Sequence, residues 1–257
     1  WDMDAIKDPD ICICVDCGDT GRFPGRAEKF LSAGTTICVD HHMTEKYFCD
    51  YNYVDPAEAA TGQIIYQLLK ELGAEPDPAA GEAIYAAITT DTGDFTYSNT
   101  QKKSHQIVAE LYDWGCDFNK VSVEIYENVR VEKIRMHAGA METLRLIGGG
   151  KGALVSVTQK LLADTGAKMD ESEGLAQDLR SISGVEFAAV LKEYGPENIR
   201  VSFRAKRLGN VAEIAANLGG GGHLKAAGCT IKAPMARAEA MVEKEILKAI
   251  ERLETDE

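Results

Sequence analysis

The sequence has no long apolar run, no even set of cysteines and no surplus of positive charge. No stretch approaches the roughly 20 apolar residues that cross a bilayer. No signal-peptide pattern is present either, so no membrane partner is expected. Seven cysteines, an odd number, do not make a full disulfide framework. Cys14-Val15-Asp16-Cys17 is formally a C-x-x-C pair and admits a zinc or redox reading, but a structural zinc site wants a second pair and there is none. Buried free thiols in a reducing cytoplasm are the simpler account of Cys12, Cys14, Cys17 and Cys38, which lie in or beside apolar runs. Lys and Arg number 28 against 41 Asp and Glu, a formal charge of −13. That excludes a broad surface tracking long DNA or RNA through many phosphate contacts, yet leaves room for a small nucleotide held by a few local cations. There is no internal repeat and no low-complexity segment.

What is there is ordinary in bulk and unusual in two places. A chain of 257 residues with 45% hydrophobic and 27% charged content suits a soluble globular protein of two domains. Ile11 to Val15 is a short apolar run ending at Asp16, and Thr36 to Val39 is another ending at Asp40. Between them, Arg26 to Leu31 has helical spacing. Strand, helix, strand is the pattern of a parallel sheet covered on both faces, where ligands gather at the carboxyl ends of the strands. Helices are expected over Ala59 to Leu72, with Gly73 as cap, over Gly81 to Thr90, and over Ser104 to Trp114. Val121 to Leu146 reads as one long helical connector, ended by Gly148-Gly149-Gly150. Beyond it, Ala153 to Val157 is a strand and Leu175 to Ile182 a helix. Val185 to Tyr194 and Ile199 to Phe203 read as neighbouring strands around a Gly195-Pro196-Glu197-Asn198 turn. A short helix over Val211 to Leu218, a strand at Cys229 to Ile231 and a final amphipathic helix over Arg237 to Leu253 complete a compact α+β half.

The first unusual place is Asp40-His41-His42 at a strand end. Carboxylate and imidazole are ligands that divalent ions accept, and Asp16 and Asp91 also stand at the ends of elements. The plain alternatives are structural histidines and, for Asp91 in Thr90-Asp91-Thr92-Gly93, a capping carboxylate. Asp19 and Asp94 read as turn residues. The second place is Gly219-Gly220-Gly221-Gly222-His223, followed by Lys225 and what reads as a small-residue helix start. Four residues without Cβ let backbone N–H groups close on a phosphate, and a helix N-terminus favours anions. The alternative is a flexible hinge. Arg204 is a candidate phosphate clamp, or else a solvent-facing strand residue such as Arg200. Metal on one side and an anion cradle on the other point to phosphate-ester hydrolysis.

These segments resemble a known family. Val39-Asp40-His41-His42, with Val15-Asp16-Cys17-Gly18-Asp19 upstream and Thr89 to Phe95 downstream, is similar to the DHH phosphoesterases. Gly219 to His223 with Ala226-Ala227-Gly228 is similar to their companion DHHA1 domain. Order and spacing agree over almost the whole chain, and the size resembles the oligoribonuclease/pAp-phosphatase (nanoRNase) type. The resemblance implies an α/β fold with a parallel-sheet DHH domain over residues 1–125, a helical connector over 126–147 and a smaller α+β DHHA1 domain over 148–257. It implies a two-manganese site, with Mg²⁺ as the other candidate ion. Asp16 would be the bridging carboxylate, and His41 and Asp91 would complete the second metal. Asp40 would orient the site, and His42 would face metal or substrate phosphate. Ser202, Arg204, the Gly220, Gly221 and Gly222 loop and His223 would hold the far end of the substrate, with the cleft between domains closing on it.

The expected activity is metal-dependent hydrolysis of very short RNA, of pAp, or both, to mononucleotides, in the cytoplasm, by a monomer or homodimer. A cyclic-dinucleotide phosphodiesterase and a non-catalytic nucleotide-binding module are the alternatives. The second arises because the family's opening His-x-x-x-Asp-x-Asp motif is not found here. Asp2-Met3-Asp4-Ala5 imitates part of it, but no His precedes it and the gap to Asp16 is too short for a strand and a helix. A preceding segment missing from the chain, which begins at Trp1, is the expected reason; without that segment an exposed sheet edge and an incomplete first metal are expected.

Overall fold

The computed structural model describes residues 9–42 and 47–255. The Asp2 to Ala5 imitation lies outside them. The chain folds as two compact units, one ending at Asn128 and one beginning at Val129.

The first unit is built on a three-stranded parallel sheet. Strand β1 (Ile11–Val15) pairs with β2 (Thr35–Asp40), which pairs with β3 (Tyr51–Val54). The register sets Val15 beside Val39 and Asp40 beside Val54, so the chain leaves β1 and β2 side by side at one end of the sheet. Helix α1 (Pro24–Leu31) makes the crossover, starting on a proline whose fixed φ suits a first helical position. Helices α2 (Thr61–Glu71), α3 (Pro78–Asp91) and α4 (Lys102–Leu111) pack a core of Tyr66, Ile84, Ile88, Ile107 and Leu111. Asp77 caps α3 through its carboxylate on Ala79 and Ala80 N–H, and Gly73 closes α2 at φ +64°. Coverage of both faces, expected from the strand–helix–strand pattern, is only half met. The face carrying Cys14 and Cys38 is buried, while Ile11 and Ile13 on the other are each 58% exposed.

The stretch 121–146 is not one helix. It divides into α5 (Phe118–Ser122), a π-helical turn over Val123–Glu127, α6 (Val131–Glu142) and a strand β4 (Arg145–Ile147). The helix breaks where Asn128 leaves helical geometry (φ −94°, ψ 62°) and Arg130 is extended. The charges scattered along this segment hid the break, because they fit an exposed helix as well as two short ones.

The second unit is a six-stranded mixed sheet in the order β4-β5-β6-β7-β9-β8, with β5 (Gly152–Val157), β6 (Phe187–Gly195), β7 (Asn198–Ala205), β8 (Gly221–His223) and β9 (Ala226–Ile231). Both faces of β5 are buried, so its sequence is apolar but for Ser156 rather than alternating. One face packs on α6, α7 (Gln159–Thr165) and α8 (Leu175–Ser181) through Met136, Val155, Leu175 and Leu179. The other packs on α9 (Val211–Asn217) and α10 (Met235–Thr255) through Leu191, Phe203, Val211, Val242 and Ile246. The glycine run does not open a helix, as the sequence suggested. Gly221 and Gly222 open the edge strand β8, hairpinned onto β9. A Cβ on Gly220 would overlap the Gly228 carbonyl oxygen, and Gly222 sits at φ +145°. These glycines are therefore required by close backbone approach.

Candidate metal centre

Asp16, Asp40, His41 and Asp91 come together at the carboxyl end of the parallel sheet. Asp16 follows β1 directly. Its backbone sits at φ +58°, a left-handed conformation that costs a non-glycine residue about 1–3 kcal/mol and persists at functional sites. Its N–H bonds to the Val39 carbonyl (3.0 Å), and its Oδ1 accepts from the Thr61 hydroxyl (2.7 Å). The carboxylate is half exposed, so one side stays open to a ligand.

Asp40 ends β2 and is fully buried. Its Oδ1 accepts from the N–H groups of His41 (2.6 Å) and His42 (2.9 Å) and from His42 Nδ1 (2.7 Å). Burial works to raise the Asp40 pKa, but these bonds and the adjacent imidazole outweigh it and hold the carboxyl below its ordinary value. Asp40 is thus an anion that fixes the turn and both histidines. Its Oδ2 is buried with no hydrogen-bond partner among the described residues.

His41 Nδ1 lies 3.1 Å from the Glu58 carbonyl oxygen. A carbonyl only accepts, so Nδ1 carries the proton and Nε2 presents a lone pair. That Nε2 faces Asp16 Oδ1 at 3.7 Å and Asp91 Oδ2 at 3.5 Å. Asp91, the last residue of α3, is anchored through its carbonyl oxygen, which accepts from Asn99 Nδ2 (3.1 Å). Burial pushes the Asp91 pKa up; His41 opposes that and Asp16 adds to it.

These donors fit a divalent cation. Two ligand atoms each about 2.1 Å from one ion stand roughly 3.0–3.4 Å apart at right or tetrahedral angles. The spacings around His41 Nε2 need only a few tenths of an ångström of contraction. Asp16, His41 and His42 each offer a ligand atom within 4.8 Å of the others. Because His42 Nδ1 is committed to Asp40, Nε2 is the ring nitrogen left open to a ligand. Sequence reasoning missed Glu58, Thr61 and Asn99. Only Thr61, a hydroxyl at a helix start beside two alanines, carried any signal.

Asp19 caps the turn after β1 by accepting from Gly21 N–H, and Asp94 accepts from the Thr89 hydroxyl (3.1 Å), both as turn residues. All seven cysteines are free thiols. Cys14 and Cys38 donate to the Cys17 carbonyl, and burial pushes Cys38 up to about 11.

In the second unit, register places the remaining candidates on one sheet face. Ser202 pairs with Gly228, which pairs with Gly221. Arg204 pairs with Ala226, which pairs with His223. Directly paired residues point the same way. Arg204 and His223 therefore flank a floor of small residues. Lys225, by contrast, anchors a loop through Nζ to the Arg207 and Gly209 carbonyls.

The fold and site define an α/β protein with a carboxylate–imidazole centre on a parallel sheet, joined in sequence to an α+β unit that displays basic groups from a sheet face. The DHH family N-terminal domain matches residues 3–98 and the DHHA1 domain matches residues 149–255; the chain belongs to the DHH/DHHA1 family. It is 31% identical over 212 residues to the bifunctional oligoribonuclease and PAP phosphatase NrnA of Thermus thermophilus, covering 81% of this chain and 62% of that protein. The protein of the same name from Bacillus subtilis is 29% identical over 208 residues, covering 79% and 65%. The chain thus spans just under two thirds of the length of these two relatives. An exopolyphosphatase-related protein from Bacteroides fragilis shares the fold, with a TM-score of 0.88 and 26% identity over 95% of this chain and 73% of that one.

Proposed function

We propose that the protein is a metal-dependent phosphoesterase that hydrolyses short oligoribonucleotides, pAp, or both, to mononucleotides. The observation that carries this reading is the convergence of Asp16, His41 and Asp91, from three separate elements, on one imidazole nitrogen whose lone pair is fixed by the Glu58 carbonyl. Relatives named as oligoribonucleases and PAP phosphatases support the substrate class.

Asp16, His41 and Asp91 would hold the cation, and Mn²⁺ suits a mixed carboxylate–imidazole set better than Mg²⁺, which prefers oxygen. When bound, a divalent ion supplies charge stabilisation at phosphoryl oxygens and acidifies water at neutral pH. Asp40 keeps the histidine pair oriented, and its hold on His42 Nδ1 leaves Nε2 to meet a phosphate oxygen. Thr61 keeps Asp16 in place. Ser202, Arg204, His223 and the Gly220 to Gly222 segment bind the rest of the nucleotide, Arg204 through the forked geometry that matches phosphate. The net charge of −13 favours a short substrate over a long one. No helix among the described residues is long and apolar enough to cross a membrane, and free thiols suit a reducing cytoplasm.

The test is AMP release from pApA and from pAp with Mn²⁺ or Mg²⁺, against His41→Ala and against chelator. Release that vanishes in both controls is expected. A nucleotide-binding module would instead show no release while retaining affinity in chelator.

A further inference from the structure

One cavity of the second unit holds an ammonium with no hydrogen bond or ion pair among the described residues. It encloses about 310 Å³ and is lined by Ser172, Glu173, Gln177, Lys192, Ser202 and Arg204, among others. That volume sits at the lower end for small-ligand cavities. Lys192 lies on β6 and Ser202 and Arg204 on β7. Val190 pairs with Ser202, and Lys192 lies two residues along the same face. Lys192 is half-buried, yet its ammonium makes no hydrogen bond and no ion pair within 4 Å among the described residues. Burial pulls its pKa down, Glu173 works against that, and Arg204 adds to it. Glu173 is the one carboxylate on the cavity wall. A desolvated ammonium beside a second cation destabilises the fold unless an anion joins them.

We propose that Lys192 is a phosphate-binding residue of this protein, and that with Arg204 it makes the cavity a receptor for the terminal phosphate of a nucleotide, so that phosphorylated ends are selected over bare hydroxyl ends. The proposal rests on the reading of this unit as the nucleotide-holding part. It deepens that reading by adding a residue from a different strand. With Glu173 on the wall the lining carries a charge of +1, and the preference for a phosphomonoester rests on its three terminal oxygens and second negative charge, against the two free oxygens and single charge of an internal diester. Ser202 supplies a hydroxyl donor on the same wall.

The experiment is calorimetric titration of the whole chain with AMP and with adenosine, in chelator so that the metal centre contributes nothing, for wild type, Lys192→Met, Lys192→Arg and Arg204→Met. Thermal melting is recorded for each. Wild type is expected to bind AMP more tightly than adenosine. Lys192→Met is expected to weaken AMP about tenfold or more and leave adenosine within about twofold, while Lys192→Arg restores most of the loss. The melting temperature of Lys192→Met should equal or exceed that of wild type, since an unbalanced charge has been removed. A purely structural lysine would lower it. Unchanged AMP affinity in Lys192→Met with a loss in Arg204→Met overturns the proposal and leaves the nucleotide-holding reading standing. If wild type binds neither ligand, both fall.

Discussion

The two units use their sheets in opposite ways. In the first, chemistry-bearing side chains stand at the ends of strands. Asp16 and Asp40 leave a three-stranded parallel sheet side by side, and one face of that sheet exposes Ile11, Ile13, Tyr51 and Tyr53. In the second, the candidates project from the face of a six-stranded sheet whose strand β5 is buried on both sides. A strand end allows sharp, strained backbone and brings distant residues onto one atom, as metal ligation requires. A sheet face allows only regular spacing, about 4.8 Å between strands, which suits contacts spread over an extended ligand. On the proposed function, bond-breaking belongs to the first unit and holding to the second.

The sharpest way to break this division is kinetic. His41→Ala is expected to lower kcat for AMP release from pApA roughly 10³-fold, with KM changed far less, because the ligand lost serves the transition state. Arg204→Met is expected to do the reverse, raising KM by about 10- to 100-fold with kcat nearly intact. If Arg204→Met instead lowers kcat as far as His41→Ala, the division is wrong. A structural contrast follows inside the second unit. Glu186 Oε1 accepts three backbone N–H bonds, from Arg207, Leu208 and Gly209, at 2.6–2.8 Å. Glu186→Ala is expected to destabilise the protein by about 2 kcal/mol, read from its urea midpoint. Thr61→Val removes the hydroxyl on Asp16 and is expected to weaken Mn²⁺ affinity about tenfold, measured by calorimetry, without changing nucleotide affinity in chelator. The smallest effect belongs to the exposed Lys70–Glu110 pair at 2.8 Å: Lys70→Ala is expected to shift stability by no more than about 0.5 kcal/mol.

The sequence was most legible where a periodic apolar run met a chemically distinctive residue. β1 and β2 stand out because Ile11 to Val15 and Thr36 to Val39 are apolar and stop at Asp16 and Asp40. The final helix stands out through its buried stripe of Ala238, Val242, Ile246 and Ile250. Tyr51–Val54 was not legible, since a four-residue strand with an asparagine inside it has too little pattern. β8 was invisible for a different reason: Gly221 and Gly222 offer no side chains to alternate, and their place in the sheet is set by backbone bonds to β9. Glu58 escaped notice because its carbonyl, not its carboxylate, orients His41. Main-chain atoms leave no trace in residue type. Lys192 was hidden inside a strand that reads as core, and only the pairing of β6 with β7 places it on the face and cavity wall it shares with Arg204.

Asp16 leaves one further consequence. A left-handed residue is most comfortable as glycine, and asparagine or aspartate occupies that region at some cost. The position therefore sets folding against reactivity within a single residue. Asp16→Gly should melt higher than the natural chain while losing metal affinity, and Asp16→Asn should lie between them on both scales. Selection for stability alone would remove this aspartate. That it stands there in spite of its backbone says which of the two properties the position serves.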